Sequence, residues 1–268
     1  MVTGVGTAKR LAVVTGANKG IGFHIASQLL EANHRVILAC RSEELGRAAA
    51  KALGGDCSAV VLNIASKGSV DSFVRQLAQK EQELHVLVNN AAIAFKGADP
   101  TPFHEQTRPT METNFEGTVA LTEALLPLIS RAEDPRIVNV ASMSGALHQL
   151  SPHLQKRFTQ QSLTLADLRK LVGEFEAAVA AGNHREQGWG NSNYGMSKLA
   201  VIAYTKELAS RAPNIKVNAC CPGYCSTDMS SHRGPRPPEV GARTPVLLAL
   251  LNEVPTGSFW QDERESIW

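Results

Sequence analysis

The stretch LAVVTGANKGIG, residues 11–22, joins a short apolar run to a turn that contains three glycines. An apolar run of this length followed at once by glycines predicts a strand, a tight turn and the start of a helix. Glycines let the backbone approach a pyrophosphate closely, and the N-terminus of the following helix favours an anion. The spacing is G-x-x-x-G-x-G rather than G-x-G-x-x-G. Taken alone, it leaves two interpretations open, a phosphate-binding loop and a plain tight turn.

The alternation of strand and helix continues along the chain. Short apolar runs predict strands at 11–15, 35–39, 59–62, 85–89, 136–141 and 216–219, with helical patterns at 21–32, 43–53, 70–79 and 117–129. Strands that are apolar on both faces are typical of a parallel sheet covered by helices on both sides. Right-handed crossovers then predict an α/β fold, a Rossmann-type doubly wound parallel sheet. Because no linker interrupts the pattern, residues 1–268 are predicted to form a single dinucleotide-binding domain.

A helical insertion is predicted at about residues 146–190, where the segment is too long for a plain loop in a compact domain. Ser151 and Pro152 have the pattern of an N-cap followed by proline at the first helical position. The sequence from Thr164 to Asp167 resembles a capping box. An apolar stripe follows it at helical spacing, formed by Leu165, Leu168, Leu171, Val172, Phe175 and Val179.

Composition and charge argue against several function classes. Apolar residues make up 43% and charged residues 19% of the 268 residues, which is a globular rather than a disordered composition. A net charge of +2 without a basic run argues against nucleic acid or an acidic membrane as the main partner. The longest apolar run near the C-terminus, residues 246–251, is too short to span a bilayer, and the residues before 11 are predicted to be a short tail rather than a secretory signal.

The five cysteines form neither a CxxC pair nor a Cys/His cluster at ligand spacing. This predicts reduced thiols and no metal site, and it favours a cytoplasmic location. Cys220, Cys221 and Cys225 are interpreted as core or loop thiols, and a redox role for Cys225 stays open.

The end of the second strand bears on the choice of cofactor. An NAD site usually has an acidic residue there to hold the ribose 2′-hydroxyl, but this chain has Cys40 followed by Arg41. Arg41 and Lys19 of the glycine-rich turn could instead bind a 2′-phosphate, which favours NADP. The alternative is a solvated Arg41 next to a helix that Ser42 caps.

Tyr194 and Lys198 lie four residues apart and are predicted to share one face of a helix. A phenol with its ordinary pKa of about 10 is a poor acid at neutral pH, and a neighbouring ammonium lowers that pKa. Ser142 directly follows the fifth predicted strand, at the sheet edge where doubly wound folds bind ligands. Its hydroxyl could hold a substrate oxygen, or it could simply bond the backbone at the end of the strand.

Taken together, these segments resemble the short-chain dehydrogenase/reductase family over nearly the whole chain. The residues that carry the resemblance are Thr15 to Gly22, Asn89-Asn90-Ala91-Ala92, Asn114, Ser142, Tyr194 with Lys198, Pro222-Gly223 and Thr227-Asp228-Met229. The long segment before Tyr194 makes the chain similar in particular to the family's monomeric, cytosolic, NADPH-dependent carbonyl reductases. Two positions depart from the family pattern: Asn63 stands where many relatives have Asp, and Ala92 replaces a glycine.

The resemblance implies reduction of ketones, aldehydes or quinones by hydride transfer from NADPH. Tyr194 would be the general acid and Ser142 would orient the substrate oxygen. Lys198 would lower the pKa of Tyr194 and hold the nicotinamide ribose, and Asn114 would support a proton relay. Beside Tyr194 and Lys198, the implied cofactor residues are Gly16, Asn18, Lys19, Gly20, Ile21, Gly22, Arg41, Asn63, Ile64, Asn90, Pro222, Gly223 and Thr227. The side chains that could line an apolar substrate mouth, or could equally be packing residues, are Phe95, Met143, Trp189, Tyr224 and Met229.

The sequence leaves two rival functions open. An NAD-linked steroid or retinol dehydrogenase would have an acidic residue at position 40, where this chain has cysteine. A non-catalytic dinucleotide-binding regulator would have lost Tyr194 or Lys198, and both are present.

The insertion also leads to a prediction about assembly. Relatives without it pair through the helices that correspond to residues 117–129 and 194–211. The apolar helix at 164–182 is predicted to cover those faces within one chain and to leave a monomer. The rival interpretation is a mobile lid over the substrate in a chain that still dimerises.

Overall fold

A computed structural model describes residues 9–268 of the chain, so residues 1–8 of the predicted N-terminal tail lie outside the described residues. One sheet of eight strands forms the centre, in the order β3-β2-β1-β4-β5-β6-β7-β8. The strands are β1 (Leu11–Thr15), β2 (Arg35–Cys40), β3 (Cys57–Val61), β4 (Val86–Asn89), β5 (Arg136–Val140), β6 (Lys216–Cys221), β7 (Phe259–Gln261) and β8 (Arg264–Ser266). All neighbouring pairs are parallel except β7 with β8.

The predicted doubly wound α/β sheet is confirmed, with strand bounds shifted by up to two residues. Strands β1, β4 and β5 are buried along their whole length, as expected for a sheet covered on both faces. The two short strands β7 and β8 were not predicted. They extend the sheet beyond β6 as a hairpin that begins with two buried aromatic residues, Phe259 and Trp260.

The helices that cover the sheet are α1 (Gly20–Glu31), α2 (Glu43–Leu53), α3 (Lys67–Lys80), α4 (Phe103–Met111), α5 (Gly117–Ile129), α6 (Pro152–Phe158), α7 (Leu165–Ala180), α8 (Asn193–Arg211), α9 (Pro238–Gly241) and α10 (Arg243–Leu250). A π-helical turn, Glu112–Glu116, joins α4 to α5 without a break in the helical path. Helices α1 and α10 share one apolar core with the sheet, whereas α3, α5, α7 and α8 share the core on the other face.

The predicted insertion is present as α6 and α7. Thr164 and Asp167 form the predicted capping box, since the Thr164 side chain accepts from the Asp167 N–H and the Asp167 carboxylate accepts from the Thr164 N–H. Five of the six residues in the predicted stripe are buried, and Leu165 is partly buried. Helix α7 packs against α4 and α8 of the same chain. The predicted packing of the insertion helix on α8 is therefore present, but its other main neighbour is α4 rather than the predicted helix at 117–129, which is α5.

Among residues 9–268, no helix combines the length and the apolar character needed to cross a bilayer. Within the same residues, no group of three or more His, Cys, Asp or Glu side chains could hold a metal ion. The five cysteines are all free, and four of them are buried.

Candidate active site

The glycine-rich turn between β1 and α1 is shaped by its backbone and by Asn90. Gly16 and Gly20 have φ angles of +63° and +58°, in the left-handed region that favours glycine. A Cβ atom at Gly22 would lie 2.5 Å from Nδ2 of Asn90. That nitrogen donates to the Thr15 carbonyl at 2.8 Å and to the Gly16 carbonyl at 3.3 Å. Asn90, the residue directly after β4, therefore holds the turn against the carboxyl edge of the sheet.

A cavity of about 950 Å³ runs along this edge. The predicted cofactor residues that line it are Gly16, Asn18, Lys19, Gly20, Ile21, Gly22, Arg41, Asn63, Ile64, Asn90, Tyr194, Lys198, Pro222 and Thr227. Gly223 lies beside the lining, at a φ of +80°, and a Cβ atom there would be 2.5 Å from the Arg236 guanidinium. Glycines, free helix N-terminal amides and cations fit a dinucleotide phosphate, so the residues present are suited to hold NADPH.

The cavity also has lining residues that were not predicted to bind the cofactor or the substrate. Leu45 and His24 line the part near Arg41 and the glycine-rich turn, while Asp228 and His232 lie on the segment after β6. Asp228 Oδ2 is 2.5 Å from Lys19 Nζ, so one of the two predicted cations already pairs with a carboxylate. Arg41 is exposed and, within residues 9–268, forms no ion pair.

Tyr194 and Lys198 lie in the first turns of α8, as the spacing predicts. The Lys198 Nζ is 5.6 Å from the centre of the Tyr194 ring and donates to the Val140 carbonyl at 2.7 Å. Val140 is the last residue of β5, so the ammonium is anchored to the strand that leads into Ser142. Both side chains line the cavity, as does Pro222.

Burial controls the protonation of this pair. It raises the pKa of Tyr194 to about 12, and a hydrogen bond with Ser142 opposes the shift only in part. It also lowers the pKa of Lys198 to about 8. The predicted lowering of the Tyr194 pKa by Lys198 is therefore not seen, because desolvation by burial is the largest effect and raises this pKa. The phenol stays protonated at neutral pH and keeps a proton to donate.

Ser142 caps a short 3₁₀ turn, Met143–Gly145, and its Oγ accepts from the Ser144 N–H at 3.1 Å. Gly145 packs directly on α8, where a Cβ atom would lie 2.7 Å from the Leu199 nitrogen. The indole N–H of Trp268 donates to the Gly145 carbonyl at 2.9 Å. These contacts hold the turn that carries Ser142 close to the helix that carries Tyr194 and Lys198.

Asn114 lies in the π-helical turn and is buried. Its Oδ1 accepts from the Ile93 N–H at 2.8 Å, and its Nδ2 donates to the Ile93 carbonyl at 2.9 Å and to Ser197 Oγ at 3.0 Å. The side chain thus ties the segment after β4 to α8. A π turn at this point is the kind of local irregularity that accumulates at functional sites.

The five residues proposed for the substrate mouth fall into different places. Met229 lines the cavity, and Met143, Tyr224 and Met229 are 38%, 59% and 41% exposed. Phe95 is half-buried outside the lining. Trp189 is only 5% exposed, with its ring 5.8 Å from that of Phe175 and 6.3 Å from that of Phe158. It belongs to the core of the insertion, so its assignment to the mouth is corrected: its large apolar ring is used for packing.

We expect Lys198 to make the protein without ligands more stable as the pH rises from 8 to 10. Its pKa of about 8 in the folded state lies below the ordinary value of 10.5, so in this window the unfolded chain binds more protons. The free energy of unfolding then increases with pH, by up to about 1.4 kcal/mol per pH unit for one proton. Urea denaturation of the wild type and of Lys198→Met gives this contribution as the difference between the two proteins. A difference that does not change with pH would contradict the expectation.

Comparison with known proteins gives consistent matches. The family description "short chain dehydrogenase" matches residues 10–153 and 177–237, so the match is interrupted within the insertion. Carbonyl reductase [NADPH] 1 of Sus scrofa is 41% identical over 274 residues, covering 97% of this chain and 94% of that protein. Carbonyl reductase [NADPH] 3 of Rattus norvegicus is 40% identical and covers 98% of this chain and 99% of that protein.

Solved structures of plant reductases are also similar to this chain. Salutaridine reductase from Papaver somniferum superposes with a TM-score of 0.88 at 28% identity, covering 95% of this chain and all (100%) of that one. Menthone neomenthol reductase from Mentha piperita has a TM-score of 0.83 at 31% identity, covering 96% and 100% of the two chains.

Proposed function

Because this chain belongs to the short-chain dehydrogenase/reductase family, we propose that it reduces carbonyl compounds to alcohols with NADPH. The observation that carries the proposal is one cavity whose lining includes two cations, Lys19 and Arg41, together with Tyr194 and Lys198. Cations in the cavity suit the 2′-phosphate of NADPH, and a protonated phenol suits a carbonyl oxygen. The carbonyl reductases [NADPH] of Sus scrofa and Rattus norvegicus, about 40% identical, support the same activity.

The chain's own residues would hold the cofactor along the cavity. The glycine-rich turn and the start of α1 would bind the pyrophosphate, Asn63 and Ile64 would contact the adenine end, and Pro222, Gly223 and Thr227 would cover the nicotinamide. When bound, NADPH supplies a hydride to the carbonyl carbon. Lys198 would hold the nicotinamide ribose from the base of the cavity.

The protein's contribution to the reaction is a proton and its position. Tyr194 would donate its phenolic proton to the carbonyl oxygen as the carbon accepts the hydride, so that a neutral alcohol and a phenolate result. Lys198, at 5.6 Å from the ring, would stabilise the phenolate. Ser142 would orient the substrate oxygen, and Asn114 would support the relay that returns a proton to Tyr194.

Three exposed apolar side chains, of which only Met229 lines the cavity, support a proposal for the substrate class. Met143, Tyr224 and Met229 favour aromatic or lipid-like ketones, aldehydes and quinones over small charged carbonyl compounds. We further propose that residues 1–268 act as one domain, as a cytoplasmic monomer without nucleic acid or membrane as partner. Helix α7 supports the monomer, because it packs on α4 and α8 in the same chain.

Consumption of NADPH by the purified protein tests the proposal. A panel of quinones, aromatic aldehydes, ketosteroids and isatin-like diketones covers the substrate class, and turnover of at least one of them is expected. If none is turned over while NADPH binds, a non-catalytic dinucleotide-binding protein is the better description.

We expect removal of both cavity cations, Lys19→Ala with Arg41→Ala, to raise the KM for NADPH at least about tenfold more than the KM for NADH. Only NADPH carries a 2′-phosphate, so only its binding loses two charge-assisted contacts. The matched control removes two lysines, Lys51 and Lys80, in the last turns of α2 and α3, away from the cavity. Equal effects on the two cofactors would show that Lys19 and Arg41 are surface residues without a role in selection.

A further inference from the structure

Asp228 is the one carboxylate among the described residues that line the cavity. It lies on the segment after β6, whereas the cation with which it pairs, Lys19, lies in the glycine-rich turn after β1. The pair therefore connects the two walls of the cavity. A carboxylate in a site for a polyanionic cofactor is unfavourable by charge alone, so its presence needs a physical explanation.

The two segments lie near each other. A Cβ atom at Gly20 would lie 3.4 Å from the Thr227 methyl group, so the space between the turn and the segment has room for about one side-chain carbon. Ser230 stabilises a turn within this segment, because its Oγ accepts from the Thr227 N–H at 3.0 Å. Asp228 is thus presented to Lys19 by a structured turn.

Both carboxylate oxygens of Asp228 have partners. Oδ2 accepts from Lys19 Nζ at 2.5 Å, and Oδ1 lies 3.0 Å from Nε2 of His232. The Lys19 ammonium is the main cause that holds the pKa of Asp228 below its ordinary range, so the carboxylate is charged at neutral pH. The His232 contact fixes the orientation in which the other oxygen faces Lys19.

We propose that Asp228 determines cofactor selectivity by competing with the 2′-phosphate of NADPH for Lys19. The inference rests on the proposed function, since it assumes that Lys19 binds that phosphate. In the free protein the ammonium is paired with Asp228, and cofactor binding must replace this contact with one to phosphate. The side chains of Lys19 and Asp228 are 64% and 55% exposed, so the ion pair is weak enough to exchange. Asp228 consequently reduces the advantage of NADPH over NADH.

Direct binding of nucleotides tests the competition without any turnover. Calorimetric titration of wild type and Asp228→Asn with NADPH, NADH, adenosine 2′,5′-bisphosphate and AMP separates the 2′-phosphate from the rest of the cofactor. We expect Asp228→Asn to lower the Kd for the two ligands with a 2′-phosphate by about threefold to tenfold. The Kd values for NADH and AMP should stay within about twofold, which also shows that the variant is folded.

The same titrations in a Lys19→Met protein make the test specific for Lys19. In Lys19→Met, the further change Asp228→Asn should leave the Kd for NADPH almost unchanged, because the ammonium for which the carboxylate and the 2′-phosphate compete is absent. The control variant is Asp56→Asn, which removes an exposed carboxylate paired with Lys9 at 3.5 Å just before β3, outside the cavity lining. It should change none of the four Kd values.

The possible results separate the inference from the function on which it rests. The first case is a wild type that prefers NADPH. If Asp228→Asn then weakens NADPH binding, leaves it unchanged, or lowers the Kd for NADH by the same factor as the Kd for NADPH, the proposed competition is wrong. The proposed function stands in that case. Persistence of the effect in Lys19→Met would likewise overturn the proposed competition. If the wild type binds neither NADPH nor adenosine 2′,5′-bisphosphate, both the inference and the cofactor assignment are overturned.

Discussion

Replacement of Tyr194 by phenylalanine should lower kcat for carbonyl reduction by about a thousandfold, while the Kd for NADPH stays within a few-fold of the wild type. The change removes one hydroxyl and keeps the ring that borders the cavity. Proton donation by a positioned side chain typically contributes about 10²–10⁴-fold, and no other phenol lines the cavity among the described residues. Steady-state kinetics with a carbonyl substrate and separate NADPH titration measure the two quantities.

Tyr204→Phe provides a matched control on the same helix. The Tyr204 hydroxyl is buried and donates to Glu123 Oε1 at 2.8 Å, outside the cavity lining. Its loss should lower the free energy of unfolding by the amount typical of a hydrogen bond to a charged group, about 1.5–3 kcal/mol, and should leave kcat close to that of the wild type. Near-normal turnover by Tyr194→Phe would mean that another group supplies the proton.

Replacement of both Leu168 and Leu171 by aspartate should destabilise the protein by several kcal/mol and cause association or aggregation. The two leucines are 0% and 2% exposed, in the core that α7 shares with α8. Burying two unpaired carboxylates there is costly, so α7 should detach and expose the faces that it covers. Urea denaturation gives the loss of stability, and light scattering gives the mass.

The double leucine variant is compared with the wild type and with a variant at an exposed position on the same helix. Wild-type protein should sediment as a monomer of 28.8 kDa at micromolar concentration. Ala177→Asp adds a carboxylate on the exposed side of α7 and should leave both mass and stability nearly unchanged. A stable wild-type dimer or tetramer, or a soluble monomeric Leu168→Asp/Leu171→Asp protein, would favour a mobile lid over a covering helix.

The strong local signals in the sequence were sufficient for most of the fold. The glycine-rich turn, the strands at β1, β2, β4 and β5, and the capping box at Thr164 each depend on a few adjacent residues. Strands β7 and β8 were missed because three residues each are too few for a period to appear, and their pairing depends on β6.

The site shows the same division between local and long-range information. Tyr194 and Lys198 were identified by their spacing, but the protonation of this pair depends on burial, which follows from packing. The Lys19–Asp228 pair joins residues that are 209 positions apart, so no local pattern could predict it. Trp189 was assigned to the substrate mouth because the sequence alone does not distinguish an aromatic residue that lines a site from one that packs in a core.

Transfer of deuterium from the cofactor to the product tests the central claim most directly. The protein is incubated with NADPH that carries two deuterium atoms at C4 of the nicotinamide, so that the result does not depend on which face reacts, and the alcohol product is analysed by mass spectrometry. The proposed chemistry predicts one deuterium in each product molecule, bound to the former carbonyl carbon, with the hydroxyl proton derived from water through Tyr194. An alcohol without deuterium at that carbon, or no alcohol from any carbonyl substrate while the labelled cofactor is bound, would contradict hydride transfer by this protein.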